Sequence, residues 1–139
     1  MTELKYDSVA VGDSLPTHTC GPISRTNLAM FAGASGDHNP IHIDLDFAKK
    51  SGMPDVFAHG MLSMAYLAQL LTNWVPQKQL REYGVRFTSI TPIHATVTCN
   101  GKVVEKFEVD GEKRVKVEII AEVGEGVKTL LGDAVIALD

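Results

Sequence analysis

The spacing of apolar and polar positions changes character at Pro76. Residues 24–75 carry three helical patterns, and residues 80–138 read mostly as strands. The first helix is expected to start at Ser24 or Thr26, either of which can cap it. Leu28, Met30, Phe31 and Ala34 follow at mixed helical spacing, and Gly33 and Gly36 weaken and then end it. A second, short helix is expected after Asp44 as N-cap, through Phe47 and Ala48. Lys49 and Lys50 suit its C-terminal end, and Gly52 is a natural stop. The third pattern runs from Gly60 or Met61 to Trp74-Val75 and is closed by Pro76. Its body, Met61 to Leu71, holds no charged residue, and a helix apolar nearly all round is a buried one. Ser63, Tyr66, Gln69 and Asn73 form a thin polar stripe along it.

Beyond Pro76 the period becomes two. Val115, Val117, Ile119, Ala121 and Val123 alternate with polar neighbours, as in a half-buried strand. Asp110-Gly111 predicts a hairpin before it, and Gly124-Glu125-Gly126 predicts the reversal into Val127–Leu138. Tyr83–Ile90 and His94–Cys99 read as earlier strands. Asn100-Gly101 fits either a turn or a bulge. A long apolar helix must be covered, and the only large partner is the antiparallel sheet. The expectation is therefore α+β: one domain over residues 1–139, its sheet wrapped around a long central helix, with short helices before it.

Composition narrows the function classes. Of 139 residues, 45% are hydrophobic and 22% charged, ordinary values for a globular domain with one core. The net charge of −4 is wrong for sequence-independent nucleic-acid binding, which needs a basic face. Cys20 and Cys99 lack metal-type spacing and are expected to be separate thiols. The N-terminal residues lack an apolar signal region, and no stretch is apolar for the ~20 residues of a membrane span. The expected setting is cytoplasmic, with no membrane and no nucleic-acid partner.

The chemistry concentrates in Ser35-Gly36-Asp37-His38-Asn39-Pro40-Ile41-His42. Pro40 removes a backbone donor and restricts Asn39 to an extended shape, so a fixed, non-helical loop is expected. Such a loop can aim a carboxylate and an imidazole at one point. One accepts protons and the other titrates near neutrality, so Asp37 and His42 together can hold and activate a water. Two other readings of the same residues stay open at this point. Asp37 could simply cap a turn while His42 packs at the loop edge. Asp37, His38, His42 and Asp44 could also gather a metal, although Pro40 breaks the regular element that usually presents such ligands.

The same segment resembles the signature of the MaoC-type, R-specific enoyl-thioester hydratases and (3R)-hydroxyacyl-carrier dehydratases, which have the hotdog fold. Ala58-His59-Gly60-Met61-Leu62 is similar to the start of that family's central helix. Tyr83–Phe87 is similar to its following strand, and Val9–Asp13 to its opening. The resemblance implies that Asp37 and His42 hold the water added to a trans-2-enoyl thioester of CoA or acyl-carrier protein. It implies that Asn39 braces the loop and that the Gly60 N–H meets the thioester carbonyl. A free helix N-terminus suits that role, and glycine permits close approach. Ser63 and His59 are supporting candidates: Ser63 bordering the site or bonding its own helix, His59 bracing the loop. The resemblance calls for no cofactor and no metal. It implies a dimer, with an identical or related hotdog subunit.

Thr91-Pro92-Ile93-His94-Ala95 departs from the family pattern, in which Pro is often followed by Gly-Asp. This bears on the dimer edge or substrate entrance. A hotdog thioesterase and a non-catalytic acyl-binding subunit are the competing functions. The first lacks the Asp-x-Asn-Pro-x-His insert, and the second tends to lose the Asp and His that this chain keeps.

Overall fold

The computed structural model describes residues 3–139. Five strands form one antiparallel sheet: β1 (His18–Cys20), β2 (Leu80–Phe87), β3 (Val97–Val109), β4 (Glu112–Val123) and β5 (Val127–Ala137), in the order β1-β3-β4-β5-β2. Three helices precede β2: α1 (Arg25–Ser35), α2 (Leu45–Lys50) and α3 (Gly60–Thr72).

The local signals explain most boundaries. The Ser24 hydroxyl accepts from the Asn27 N–H while the Asn27 side chain accepts from the Ser24 N–H, a reciprocal cap that starts α1. Gly36 ends α1 in the left-handed region at φ 78°, its N–H on the Ala32 carbonyl. The Asp44 carboxylate accepts from Phe47 N–H and starts α2. Asp110 and Gly111, both at positive φ, make the two-residue turn that sets Val109 opposite Glu112.

Residues Val97, Cys99 and Val103 of β3, with Val115, Val117 and Ile119 of β4, turn one face of the sheet into core. Leu62, Leu67, Leu70 and Leu71 of α3 pack onto it. Truncating a fully buried leucine such as Leu67 to alanine should cost about 2–5 kcal/mol. At Gly101 of β3 an added Cβ would meet the Leu70 side chain of α3 at 3.2 Å, as well as Ile119 and Leu15 at 3.3 Å, so the glycine admits close helix–sheet packing.

Several expectations need correction. Asn100-Gly101 is neither a turn nor a bulge: β3 runs straight through it, and the register shift falls between Val103 and Glu105. β2 begins and ends three residues earlier than its alternation predicts. His94 sits at φ 68° in a turn, so β3 starts only at Val97. α3 stops at Thr72, and the N–H groups of Trp74 and Val75 close onto the Leu71 carbonyl. It is also not buried all round. Met61 is 58% exposed, and Ala65 and Gln69 share that open face. The apolar composition of α3 thus exceeds what one chain covers.

Candidate active site

Two short segments and one helix terminus build the site. After Gly36 turns the chain out of α1, the Ser35 hydroxyl accepts from Asp37 N–H at 3.1 Å. One carboxylate oxygen of Asp37 accepts from Asn39 N–H at 3.2 Å. The Asn39 side-chain oxygen accepts from Ile41 N–H at 3.1 Å and caps a single 3-10 turn, Pro40–His42. Pro40 therefore opens a helical turn rather than excluding one, as suits a first-turn proline. Asn39 braces the loop, and its oxygen is occupied in doing so.

His42 is 8% exposed. Its Nδ1–H donates to the Phe57 carbonyl at 2.7 Å. A carbonyl only accepts, so Nδ1 carries a proton, and in the neutral ring Nε2 is the nitrogen with the lone pair. That nitrogen faces the second carboxylate oxygen of Asp37 at 3.9 Å. The gap is too long for a direct hydrogen bond and suits one bridging water. Asp37 is about half exposed, so solvent reaches the pair.

Helix α3 begins beside this pair. His59 is its N-cap residue, and Gly60 is its first residue, whose N–H has no acceptor within the helix. Gly60 opens on a cleft of 360 Å³ lined also by Phe57, Ser63, Phe87, Ile90 and Leu130. An added Cβ at Gly60 would stand 2.9 Å from the Phe87 ring, so that ring lies directly over the helix terminus. The Ser63 hydroxyl is buried and paired with Thr91 Oγ1 at 2.9 Å, 28 residues away, instead of bonding its own helix. His59 is buried, with Nε2–H donating to the Asp37 backbone carbonyl at 3.1 Å. Its ring stacks on His42 with centroids 4.0 Å apart. Burial first, and the neighbouring His42 second, hold the His59 imidazole below its ordinary pKa.

The comparisons with known proteins meet this geometry. Residues 8–125 match the MaoC like domain family. The chain belongs to the MaoC-like family. It is 32% identical to the (R)-specific enoyl-CoA hydratase of Rhodospirillum rubrum over 90 residues, covering 60% of this chain and 62% of that one. It is also 32% identical to fatty acid synthase subunit beta of Saccharomyces cerevisiae over 120 residues, 78% of this chain but 6% of that much longer protein. Among solved structures, the R-hydratase PhaJ1 of Pseudomonas aeruginosa superposes with a TM-score of 0.86 at 26% identity, covering 99% of this chain and 87% of that one. The sheet wrapped around α3 is the hotdog arrangement of such neighbours.

Within this MaoC-like domain the expected residues do not all converge. Asp37, His42 and His59 gather; Gly60 follows His59 in the chain and lines the neighbouring cleft; Asn39 stands one step behind; Ser63 lines that same cleft with its hydroxyl already paired. Of the metal set first considered, Asp44 caps α2 and only Asp37 and His42 come together, joined by His59, with one ligand atom from each within 4.8 Å. Stacked imidazoles keep their lone pairs in nearly parallel planes, 28° apart here, so two rings so placed do not aim at one ion. A larger cleft, 1020 Å³, lies on the outer sheet face among Arg86, Lys102, Glu118 and Asp133 and holds none of the expected site residues. Among the described residues no helix is long and apolar enough to cross a membrane.

Sequence reasoning missed the Phe57 carbonyl, the Thr91 hydroxyl and the Phe87 ring. The first is a backbone group with no signature of its own. The family departure at residues 91–95 also lies nearer the site than its sequence distance implies. The Thr91 carbonyl accepts from Ala58 N–H at 2.9 Å, and Pro92 pairs with Phe57.

Proposed function

We propose that this chain catalyses the reversible hydration of a trans-2-enoyl thioester to a (3R)-3-hydroxyacyl thioester. The observation that supports this best is the facing of an imidazole nitrogen and a carboxylate oxygen across 3.9 Å, linked to the α3 terminus at Gly60 through His59, which stacks on His42. A water between Asp37 and His42 gives the dyad one proton as its oxygen bonds C3, and the dyad returns a proton to C2. Negative charge meanwhile builds on the thioester oxygen, where the Gly60 N–H and the α3 terminus stabilise it. The half-exposed carboxylate and the open cleft suit a thioester carried by CoA or by acyl-carrier protein, since both present the same acyl end. The names of the relatives agree with this chemistry.

The test is incubation with crotonyl-CoA and longer trans-2-enoyl-CoAs. Loss of enoyl absorbance with formation of the R alcohol supports the reading. Release of free thiol instead would mark a thioesterase, and neither change would mark a binding subunit.

We further infer that the chain pairs with a second hotdog subunit, identical or related, through β2. That strand is the sheet's eight-residue edge, and unpaired edges invite pairing. Phe87 on it is 55% exposed, and Met61 on α3 is exposed as well. Light scattering of the active protein should give a dimer mass; a monomeric active species would overturn the inference.

A further inference from the structure

His59 joins three parts of the site. Its ring stacks on His42 with centroids 4.0 Å apart, its Nε2–H holds the Asp37 carbonyl at 3.1 Å, and the next residue is Gly60. We propose that His59 is the positioning residue of the site: a neutral imidazole that fixes the His42 ring plane and the Asp37 backbone relative to the helix terminus. This rests on the hydration reading above and specifies how its geometry is held.

Helix stability does not account for the residue. N-cap positions favour Ser, Thr, Asp or Asn, whose oxygen bonds the first turn, but the His59 side chain makes no cap bond. Core packing does not account for it either. His59 is 1% exposed and its Nδ1 is buried with no partner, an arrangement that an apolar side chain of similar size would avoid. What the imidazole offers and leucine or phenylalanine does not is a flat face together with an in-plane donor. The face lies against His42 at 28°, while the edge of Phe31 backs the ring at 4.8 Å. His42 is otherwise held from the side of Phe57, through the hydrogen bond to its carbonyl and the edge contact of its ring at 5.1 Å, and rotation about that bond would turn the imidazole away from Asp37. The stack opposes it. The Nε2–H meanwhile binds the Asp37 backbone and not its carboxylate, which stays free for the water.

The test separates the two contributions. His59→Phe keeps the flat face and loses the donor; His59→Gln keeps an N–H donor and loses the face; His59→Ala loses both. With crotonyl-CoA, kcat should fall about 10–100-fold in His59→Ala and less in the other two, with KM nearly unchanged, because supporting partners act through the groups they orient. In a His42→Ala background the His59→Phe change should cost little more, since its target is gone. Thermal melting is read in parallel. Full kcat in all three variants, losses that track melting temperature, or an undiminished effect in the His42→Ala background would each overturn the proposal. If wild type turns over and only the His59 variants are unaffected, this inference fails alone. A wild type inert on every enoyl thioester would sink the hydration reading and this inference with it.

Discussion

His42 and His18 each lie among polar groups, at opposite ends of helix α3, and their surroundings give the same side chain different capacities. His42 gives its Nδ1–H to a backbone carbonyl at 2.7 Å and turns Nε2 toward a carboxylate across 3.9 Å. The carbonyl cannot donate or titrate, so the tautomer is fixed and one lone pair stays free. His18 accepts from the Asn73 amide at Nδ1, 3.2 Å away, so Nε2 carries the proton and donates to Gln69 Oε1 at 2.9 Å. Cys20 Sγ also stands 2.9 Å from that nitrogen. Burial pushes the Cys20 thiol up, away from the thiolate. One imidazole has a nitrogen left for a substrate; the other has both nitrogens engaged by neutral side chains. An imidazole in a polar cluster becomes a base through what its second nitrogen is denied.

The comparison breaks most readily at the dyad. Asp37→Asn and His42→Ala should each lower turnover of an enoyl-CoA by about 10²–10⁴ with the fold intact. Because both residues serve one water, the double variant should lose little more than either single one. Steady-state rates with circular dichroism as a fold control measure this, and near-normal turnover in either variant would remove the dyad.

Gly60 comes next. Gly60→Pro deletes the N–H at a position that tolerates proline, preceded by His59 at φ −57°, ψ 135°. Turnover should fall by about 10²–10³, as for loss of other oxyanion donors. Gly60→Ala keeps the N–H, and its methyl would press on Phe87 at 2.9 Å, an exposed ring free to swing aside. Its loss should be much smaller. Equal losses in the two variants, tracking their melting temperatures, would make Gly60 a packing residue only.

What the sequence made legible was local. The Ser24 and Asp44 caps and the Asp110-Gly111 turn each act within a few residues, and each fold element they announce is present. What it hid depends on distant partners. β1 spans three residues, too short for a period, and exists because His18–Cys20 pairs with Val97–Cys99. The Ser63–Thr91 bond and the Phe57 carbonyl join segments that only folding brings together. The third helix misled for another reason: its uncharged face at Met61 and Ala65 predicts burial, but none of the described residues covers it.

A smaller effect is expected in stability against pH. His59 is held below its ordinary value of about 6.5 chiefly by burial, with the bond to Asp37 offsetting part of this. The folded chain then binds fewer protons at this site than the unfolded chain below that value. Its contribution is full above the ordinary imidazole range and is lost as pH falls toward the lower folded value. Wild type should therefore lose more melting temperature than His59→Phe between neutrality and about pH 5. Parallel slopes for the two would place the acid sensitivity elsewhere.

The smallest effect belongs to His18. Its bonds to Gln69 and Asn73 tie β1 to the end of α3, but Gln69 and Asn73 are exposed and water can replace them. A net hydrogen bond contributes about 0.5–1.5 kcal/mol, and exposed ones lie at the low end. His18→Ala should therefore lower the melting temperature slightly and leave enoyl-CoA turnover within about twofold of wild type, since no catalytic step passes through it. Cys20→Ser should behave alike. The measurement is the same assay used for the dyad, run on His18→Ala and His42→Ala side by side. If the two lost turnover equally, a nitrogen engaged by amides would be as competent as one facing a carboxylate, and the distinction between the clusters would collapse.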